Sequence, residues 1–119
     1  MTFAQAILEL KETLKRIKNR RLNKIQVLQI FTGEVENCPL CQANIEFGDD
    51  ECRACPANHS NRSRTPCDRV KEATSAYREN RMRRKQFEKV FTAALAETEK
   101  NFQKETERVM AHLRALGKL

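Results

Sequence analysis

The residues best suited to chemistry in this chain are four cysteines that form two Cys-x-x-Cys pairs. The pairs are Cys38 with Cys41 and Cys52 with Cys55. One tight turn can aim two thiolates at a single ion, and two such turns supply the four tetrahedral ligands that zinc prefers. The spacing therefore predicts a structural zinc site, with unligated or redox-active thiols and an iron–sulfur cluster as the alternatives.

Two further residues are candidate zinc ligands. Cys67 stands near the start of a predicted helix, where the helix dipole favours a thiolate, so it could replace Cys52 or Cys55. The alternative for Cys67 is a small buried side chain. His59 is a weaker substitute, and a loop histidine is the commoner role for such a residue. Four bound thiolates close the zinc shell and leave no position for water or substrate, which argues against metal catalysis.

The elements that must position these cysteines are charged helices. The chain has 119 residues, of which 39% are hydrophobic and 33% charged, with three glycines and three prolines. This composition favours long helices over a compact β-fold. Apolar residues at alternating steps of four and three predict a helix over residues 2–31. Its register slips across residues 18–23, and a strand over residues 25–31 is the alternative because β-branched residues are dense there.

A second, longer helix is predicted after the cysteines. Thr65 can cap its N-terminus, Pro66 suits its first turn and Asp68 occupies the acidic third position. No glycine or proline occurs between residues 67 and 116, and apolar residues recur there at every seventh position. Gly117 is the natural stop of this helix. No internal repeat and no low-complexity tract is evident along the chain.

These elements predict a mainly α fold in one structural domain. Residues 1–32 form an N-terminal helix, residues 33–65 a small irregular zinc-binding lobe, and residues 66–119 a long C-terminal helix. Because the lobe acts as a clasp, the two long helices are expected to run antiparallel as a helical hairpin. The zinc would stabilise a lobe that is too small to fold alone.

The cysteines and prolines of residues 38–68 form a recognisable pattern. Cys38-Pro39-Leu40-Cys41 is followed by Cys52-x-x-Cys55-Pro56 and by Thr65-Pro66-Cys67. This pattern resembles that of small, poorly characterised cysteine-rich proteins common in bacteriophage genomes, and the resemblance implies a zinc-braced accessory protein without enzymatic activity. The first pair is also similar to the zinc hook of double-strand-break repair ATPases, in which two chains share one ion. The second pair favours a site within one chain.

Two runs of basic residues are expected to meet on this hairpin. They cover residues 15–24 and 78–85, and in a chain of net charge +7 they hold eleven cations and one acid, Glu79. With the lobe as a clasp, Arg20 lies near Arg78, and the runs form one level that contacts nucleic-acid phosphates. An acidic protein surface and a solvated face without a partner are the alternatives. The cations are Lys15, Arg16, Lys18, Arg20, Arg21, Lys24, Arg78, Arg81, Arg83, Arg84 and Lys85.

An apolar stripe near the C-terminus is a second candidate interface. In the predicted register the first helix ends opposite Glu97, which leaves residues 98–116 without a partner. Side chains at heptad spacing suit a homodimer. Docking on another protein, or folding back of the helix at a break near Arg81, are the alternatives. The stripe consists of Phe102, Val109, Met110, Leu113 and Leu116.

The leading hypothesis is a non-enzymatic, zinc-stabilised nucleic-acid-binding protein that forms a homodimer. The alternative is a phage-type interaction module that inhibits or redirects a host enzyme. A nuclease with His59 as base is the weakest hypothesis, because no acidic cluster accompanies that residue. Only Tyr77 and Phe87 lie near the basic runs, so stacking on single-stranded bases is poorly supported. Five cysteines without a secretory signal predict the cytoplasm, and no run reaches the ~18 apolar residues of a membrane span.

Overall fold

The computed structural model describes residues 2–30, 39–47, 55–58 and 64–118 of the chain. These residues form α1 (Phe3–Lys18), α2 (Lys24–Ile30), α3 (Pro39–Phe47), α4 (Pro66–Arg78) and α5 (Arg84–Ala115), with one 3-10 turn at Pro56–Asn58. The prediction of a mainly helical chain with a long C-terminal helix is confirmed. The strand considered for residues 25–31 is wrong, because residues 24–30 are helical.

Capping residues and prolines set where the helices start. In α1 the backbone N–H of Gln5 donates to Thr2 Oγ1 at 3.2 Å, and the N–H of Thr2 donates to Gln5 Oε1 at 2.8 Å. The predicted cap of α4 is confirmed, since the N–H of Asp68 donates to Thr65 Oγ1 at 3.2 Å. A proline at the first position of a helix loses no hydrogen bond, because that N–H has no partner in the helix. The first residues of α3, the 3-10 turn and α4 are Pro39, Pro56 and Pro66.

Each of the two predicted long helices is interrupted once. α1 ends at Lys18 before α2 begins, and α4 ends at Arg78 before α5 begins. Both interruptions contain a non-glycine residue with positive φ, Arg20 at 57° and Asn80 at 61°. A left-handed residue just past a helix end closes it with hydrogen bonds to the last carbonyls. The predicted hairpin of two unbroken helices is therefore not confirmed.

The second interruption lets α5 pack against both α4 and α1. Arg69 of α4 forms an ion pair with Glu97 of α5, and both side chains are half-buried. Lys11 Nζ of α1 lies 2.6 Å from Glu99 Oε2 of α5. The break near Arg81 that was one alternative for this segment is present, but Val109, Met110 and Leu116 of the apolar stripe remain exposed.

The core lies where these helices meet the two interhelical loops. Ile17 and Val27 are fully buried, and Phe87 is 1% exposed. The Phe87 ring stacks on Tyr77 with 5.3 Å between centroids and on Phe91 with 6.3 Å. The cysteine-rich segment is tied to this core, because Asn101 Nδ2 donates to the carbonyl oxygen of Pro56 at 3.0 Å. Leu40 and Ala43 of α3 are also buried in it.

α5 leaves the core near Phe102. Thr98 is buried and Phe102 packs half-buried against the core, so the overhang begins near residue 103 instead of the predicted residue 98. Beyond that point Val109, Met110 and Leu116 are 41%, 37% and 56% exposed, and Leu113 is half-buried. The longest dimension of the molecule is 54 Å. A helix the length of α5 accounts for about 48 Å of it. None of the described helices is both long and apolar enough to cross a membrane.

Candidate functional site

Two interhelical loops lie against each other and bring the basic runs together. Loop A covers residues 19–23 and loop B covers residues 79–83. Lys24 Nζ donates to Asn80 Oδ1 at 2.5 Å and lies 4.9 Å from the centre of the Tyr77 ring. Arg84 Nη2 donates to the carbonyl oxygen of Ile17 at 3.0 Å. The two runs therefore adjoin at the loops.

Most of the predicted cations face solvent around these loops. We call this set the basic surface. We call α1, loop A and α2 one unit, and α4, loop B and α5 the other. Lys24 and Arg84 are half-buried and each contacts the other unit, so the basic surface is defined without them. The two side chains hold the loops together, and their predicted phosphate contacts stay predictions. The basic surface consists of Lys15, Arg16, Lys18, Arg20, Arg21, Arg78, Arg81, Arg83 and Lys85.

Few carboxylates offset this charge in the described part of the chain. Arg81 pairs with Glu79 at 2.6 Å, and Lys15 lies 4.0 Å from Glu12. The other seven cations of the basic surface have no carboxylate of the described residues within ion-pair distance. Gathered like charges repel, and bound anions relieve that repulsion. The surface is therefore suited to a polyanion.

Loops A and B have the same backbone structure, sixty residues apart. In loop A the N–H of Arg21 donates to the carbonyl of Arg16 at 2.9 Å; in loop B the N–H of Arg81 donates to that of Ala76 at 2.8 Å. The positive-φ residues also correspond, since Asn80 follows Arg20 by sixty positions. The two loops thus share one backbone form, although the helices on either side differ in length.

Side chains around the loops correspond in the same way. Gln26 Oε1 accepts from the N–H of Asn23 at 2.9 Å, and Gln86 Oε1 accepts from that of Arg83 at 3.0 Å. A comparison of residues 17–31 with residues 77–91 shows three identical residues in fifteen, which is a weak signal in the sequence. In this alignment apolar residues match at every fifth position, and identical residues lie between them. The apolar pairs are Ile17 with Tyr77, Leu22 with Met82 and Val27 with Phe87, and the identical pairs include Arg21 with Arg81 and Gln26 with Gln86.

Arg20 is the member of the basic surface whose backbone is strained. The left-handed conformation costs an L-residue about 1–2 kcal/mol, whereas glycine adopts it freely but loses about 0.5–1 kcal/mol through its flexible unfolded state. We therefore expect Arg20→Gly to raise the free energy of unfolding by about 0.5–1 kcal/mol. Urea unfolding followed by circular dichroism measures this change.

Arg20→Ala is the matched control for that substitution. It removes the same charge but keeps a Cβ in the left-handed region, so it is expected to give no gain in stability. A loss of stability in Arg20→Gly would contradict the assigned backbone conformation. If Arg20→Gly stabilises the chain yet weakens polyanion binding, arginine at this position serves binding and not folding.

Three of the five cysteines lie at the starts of helical elements. Cys41 is in the first turn of α3, Cys55 precedes the 3-10 turn, and Cys67 is the second residue of α4. Cys55 is buried, and the other two are half-buried. A helix N-terminus favours the thiolate, which is the form that binds zinc. The types of donor present therefore fit a zinc site.

The remaining candidate ligands, Cys38, Cys52 and His59, lie outside the described residues. Among residues 2–30, 39–47, 55–58 and 64–118, no three His, Cys, Asp or Glu side chains form a group that could hold a metal ion. The zinc site and its set of four ligands thus stay predictions.

No protein-family model, curated protein or solved structure matches this chain. The resemblance of residues 38–68 to bacteriophage-type proteins therefore depends on the cysteine and proline pattern itself. The surface chemistry of the molecule is therefore the basis for a functional proposal.

Proposed function

We propose that this protein is a non-enzymatic, zinc-stabilised nucleic-acid-binding protein that contacts phosphates through the basic surface. The observation that supports the proposal most strongly is the contact between loops A and B, which gathers exposed cations from two distant parts of the chain. Lysine and arginine bind a nucleic-acid backbone favourably because neutralised phosphates release their condensed counterions. The zinc lobe has a structural role in this proposal, linking the two units in a cytoplasmic protein.

The chemical groups of the described residues support binding without catalysis. His112 lies on the exposed end of α5, well along the helix from the basic surface. Hydrolysis of a phosphodiester calls for a base, or for carboxylates that hold a metal ion, beside the bound phosphate. The basic surface instead presents guanidinium and ammonium groups, which position a backbone but do not read bases by themselves.

The affinity for nucleic acid is expected to fall steeply as salt rises. Each phosphate contact contributes about −0.9 to the slope of log affinity against log salt on duplex DNA. If half or more of the basic surface is engaged, the slope should be about −4 or steeper. Fluorescence anisotropy with labelled duplex DNA over a range of salt concentrations measures it.

A variant and a matched control locate the site. Replacing Lys18, Arg21, Arg78 and Arg81 by Gln is expected to make the slope shallower by about 3 to 4 and to remove most binding at physiological salt. The control carries the same loss of charge on the far part of α5, with Lys100, Lys104, Arg114 and Lys118 replaced by Gln. Equal effects of the two variants would show that net charge alone drives binding, and the basic surface would be refuted as a site.

A protein-interaction module is the second candidate function. It is favoured by the exposed apolar stripe on α5, where Val109, Met110 and Leu116 face solvent among the described residues. In this proposal the stripe pairs with a second copy of the chain or docks on a host enzyme and inhibits or redirects it. A nucleic-acid affinity that is absent or insensitive to salt, together with a dimer mass in light scattering, would favour this candidate.

A further inference from the structure

We infer that the basic surface binds double-stranded nucleic acid, with equivalent cations of loops A and B on the two strands. This inference rests on the proposed function and adds the class of nucleic acid. It follows from a local twofold relation between the loops, from the pairs of cations that this relation creates, and from the burial of the nearby aromatic rings.

Reciprocal contacts reveal the twofold relation. Lys24, the first residue of α2, contacts Tyr77 at the end of α4. Arg84, the first residue of α5, contacts Ile17 near the end of α1. Arg84 follows Lys24 by sixty positions, and Tyr77 follows Ile17 by the same number. Exchange of the two units therefore exchanges the residue positions that touch, as in a twofold, isologous interface. The contacts differ in kind, because Lys24 lies over a ring and Arg84 donates to a backbone carbonyl.

The relation pairs four of the nine cations of the basic surface. Lys18 and Arg78 are both exposed and both follow the last apolar residue of their helix. Arg21 and Arg81 are likewise exposed, at the position after the left-handed residue of each loop, although Arg81 also pairs with Glu79. The other five cations correspond to uncharged residues. A phosphate bound at either of the two paired positions of one unit thus has a counterpart position on the other unit.

Duplex nucleic acid matches this arrangement and a single strand does not. The two backbones of a duplex are related by local twofold axes, which is why dimeric proteins read sites that share their own symmetry. The pairs Lys18 with Arg78 and Arg21 with Arg81 can therefore offer similar contacts to each strand at once. A single strand runs in one direction and has no such symmetry. It can therefore make the same contacts with both units only if it turns back on itself.

The aromatic side chains near the loops give an independent argument. Proteins that bind single strands stack the bases on exposed aromatic rings. Here Tyr77 is 6% exposed and Phe87 is 1% exposed, and both rings are packed in the core. Among the described residues of loops A and B, none is aromatic. In the described part of the chain, the surface therefore presents cations to backbones and no exposed aromatic ring to unpaired bases.

The first experiment compares a short duplex DNA with each of its separated strands by fluorescence anisotropy. The duplex is expected to bind at least about tenfold more tightly than either strand at the same salt, because both units engage phosphates only on the duplex. Single strands that bind as tightly as the duplex would overturn the inference but leave the proposed function in place. Failure of both probes to bind would overturn the proposed function itself.

The second experiment tests the twofold relation with single substitutions. Lys18→Gln and Arg78→Gln are each expected to lower duplex affinity by about fivefold to tenfold and to reduce the salt slope by about 0.9, equally in the two variants. Lys104 lies about 30 Å along α5 from Arg84. Lys104→Gln is therefore the control, and it should change neither the duplex affinity nor the salt slope. A large effect of one substitution without the other would show that the units are not equivalent in binding. Circular dichroism of each variant verifies that the helices remain folded.

Discussion

Phe87→Ala is expected to lower the free energy of unfolding by about 3–5 kcal/mol. The ring is 1% exposed and stacks between Tyr77 and Phe91, with centroids at 5.3 and 6.3 Å. Its removal leaves a cavity at the place where α5 begins beside loop B, and rigid neighbours on several helices limit how far the cavity can close. Since small domains are stable by about 5–15 kcal/mol, this loss would unfold a large fraction of the protein on warming.

Urea unfolding monitored by far-ultraviolet circular dichroism measures this loss. Lys85→Ala serves as the matched control, because its side chain is exposed on the same turn of α5. The control is expected to change stability by no more than about 0.5 kcal/mol. A loss below about 1 kcal/mol in Phe87→Ala would contradict the packing described here.

Zinc removal is expected to have the other large effect. Purified protein should contain one zinc per chain, and a chelator should lower the free energy of unfolding by several kcal/mol, because structural zinc contributes about 10–16 kcal/mol of binding free energy in zinc-finger peptides. This loss of stability should extend from the cysteine-rich segment to the helical core. Cys55 is buried next to Pro56, whose carbonyl accepts a hydrogen bond from Asn101 of α5, and Cys67 lies in the first turn of α4.

Five single Cys→Ser variants identify the ligands. If the two Cys-x-x-Cys pairs hold the ion, Cys38, Cys41, Cys52 and Cys55 variants should each lose zinc, and Cys67→Ser should retain it and serve as the control. If Cys67 is the fourth ligand, its variant loses zinc and either the Cys52 or the Cys55 variant retains it. Absence of zinc from protein purified under reducing conditions would refute the site.

Local signals in the sequence were sufficient to predict where several helices start and stop. Thr65, Pro66 and Asp68 predicted the start of α4, and Gly117, with φ of 71°, stands just past the end of α5. These signals work because a cap satisfies backbone groups within a few residues, independently of the rest of the fold. The two basic runs were also predicted to adjoin, but by counting along two unbroken antiparallel helices, an arrangement that is not confirmed.

The helix interruptions could not be predicted in the same way. A left-handed position at a helix end is usually occupied by glycine, whereas Arg20 and Asn80 occupy these positions here. The contacts that accompany the breaks are long-range: Lys24 binds Asn80, and Arg84 binds the carbonyl of Ile17. Neither contact is visible in a local pattern. The sequence therefore marked the two places only as a register slip across residues 18–23 and as an alternative break near Arg81.

By itself, the sequence determined the helical character, the capped helix starts, the thiol spacing and the two concentrations of positive charge. Each of these depends on residues within one or two turns of one another. Only the tertiary structure decided that the register slip and the alternative break near Arg81 are helix ends at loops A and B, and that Lys24 and Arg84 join those loops. The physical reason is that strained backbone and half-buried cations are stabilised by partners that distant segments of the chain supply.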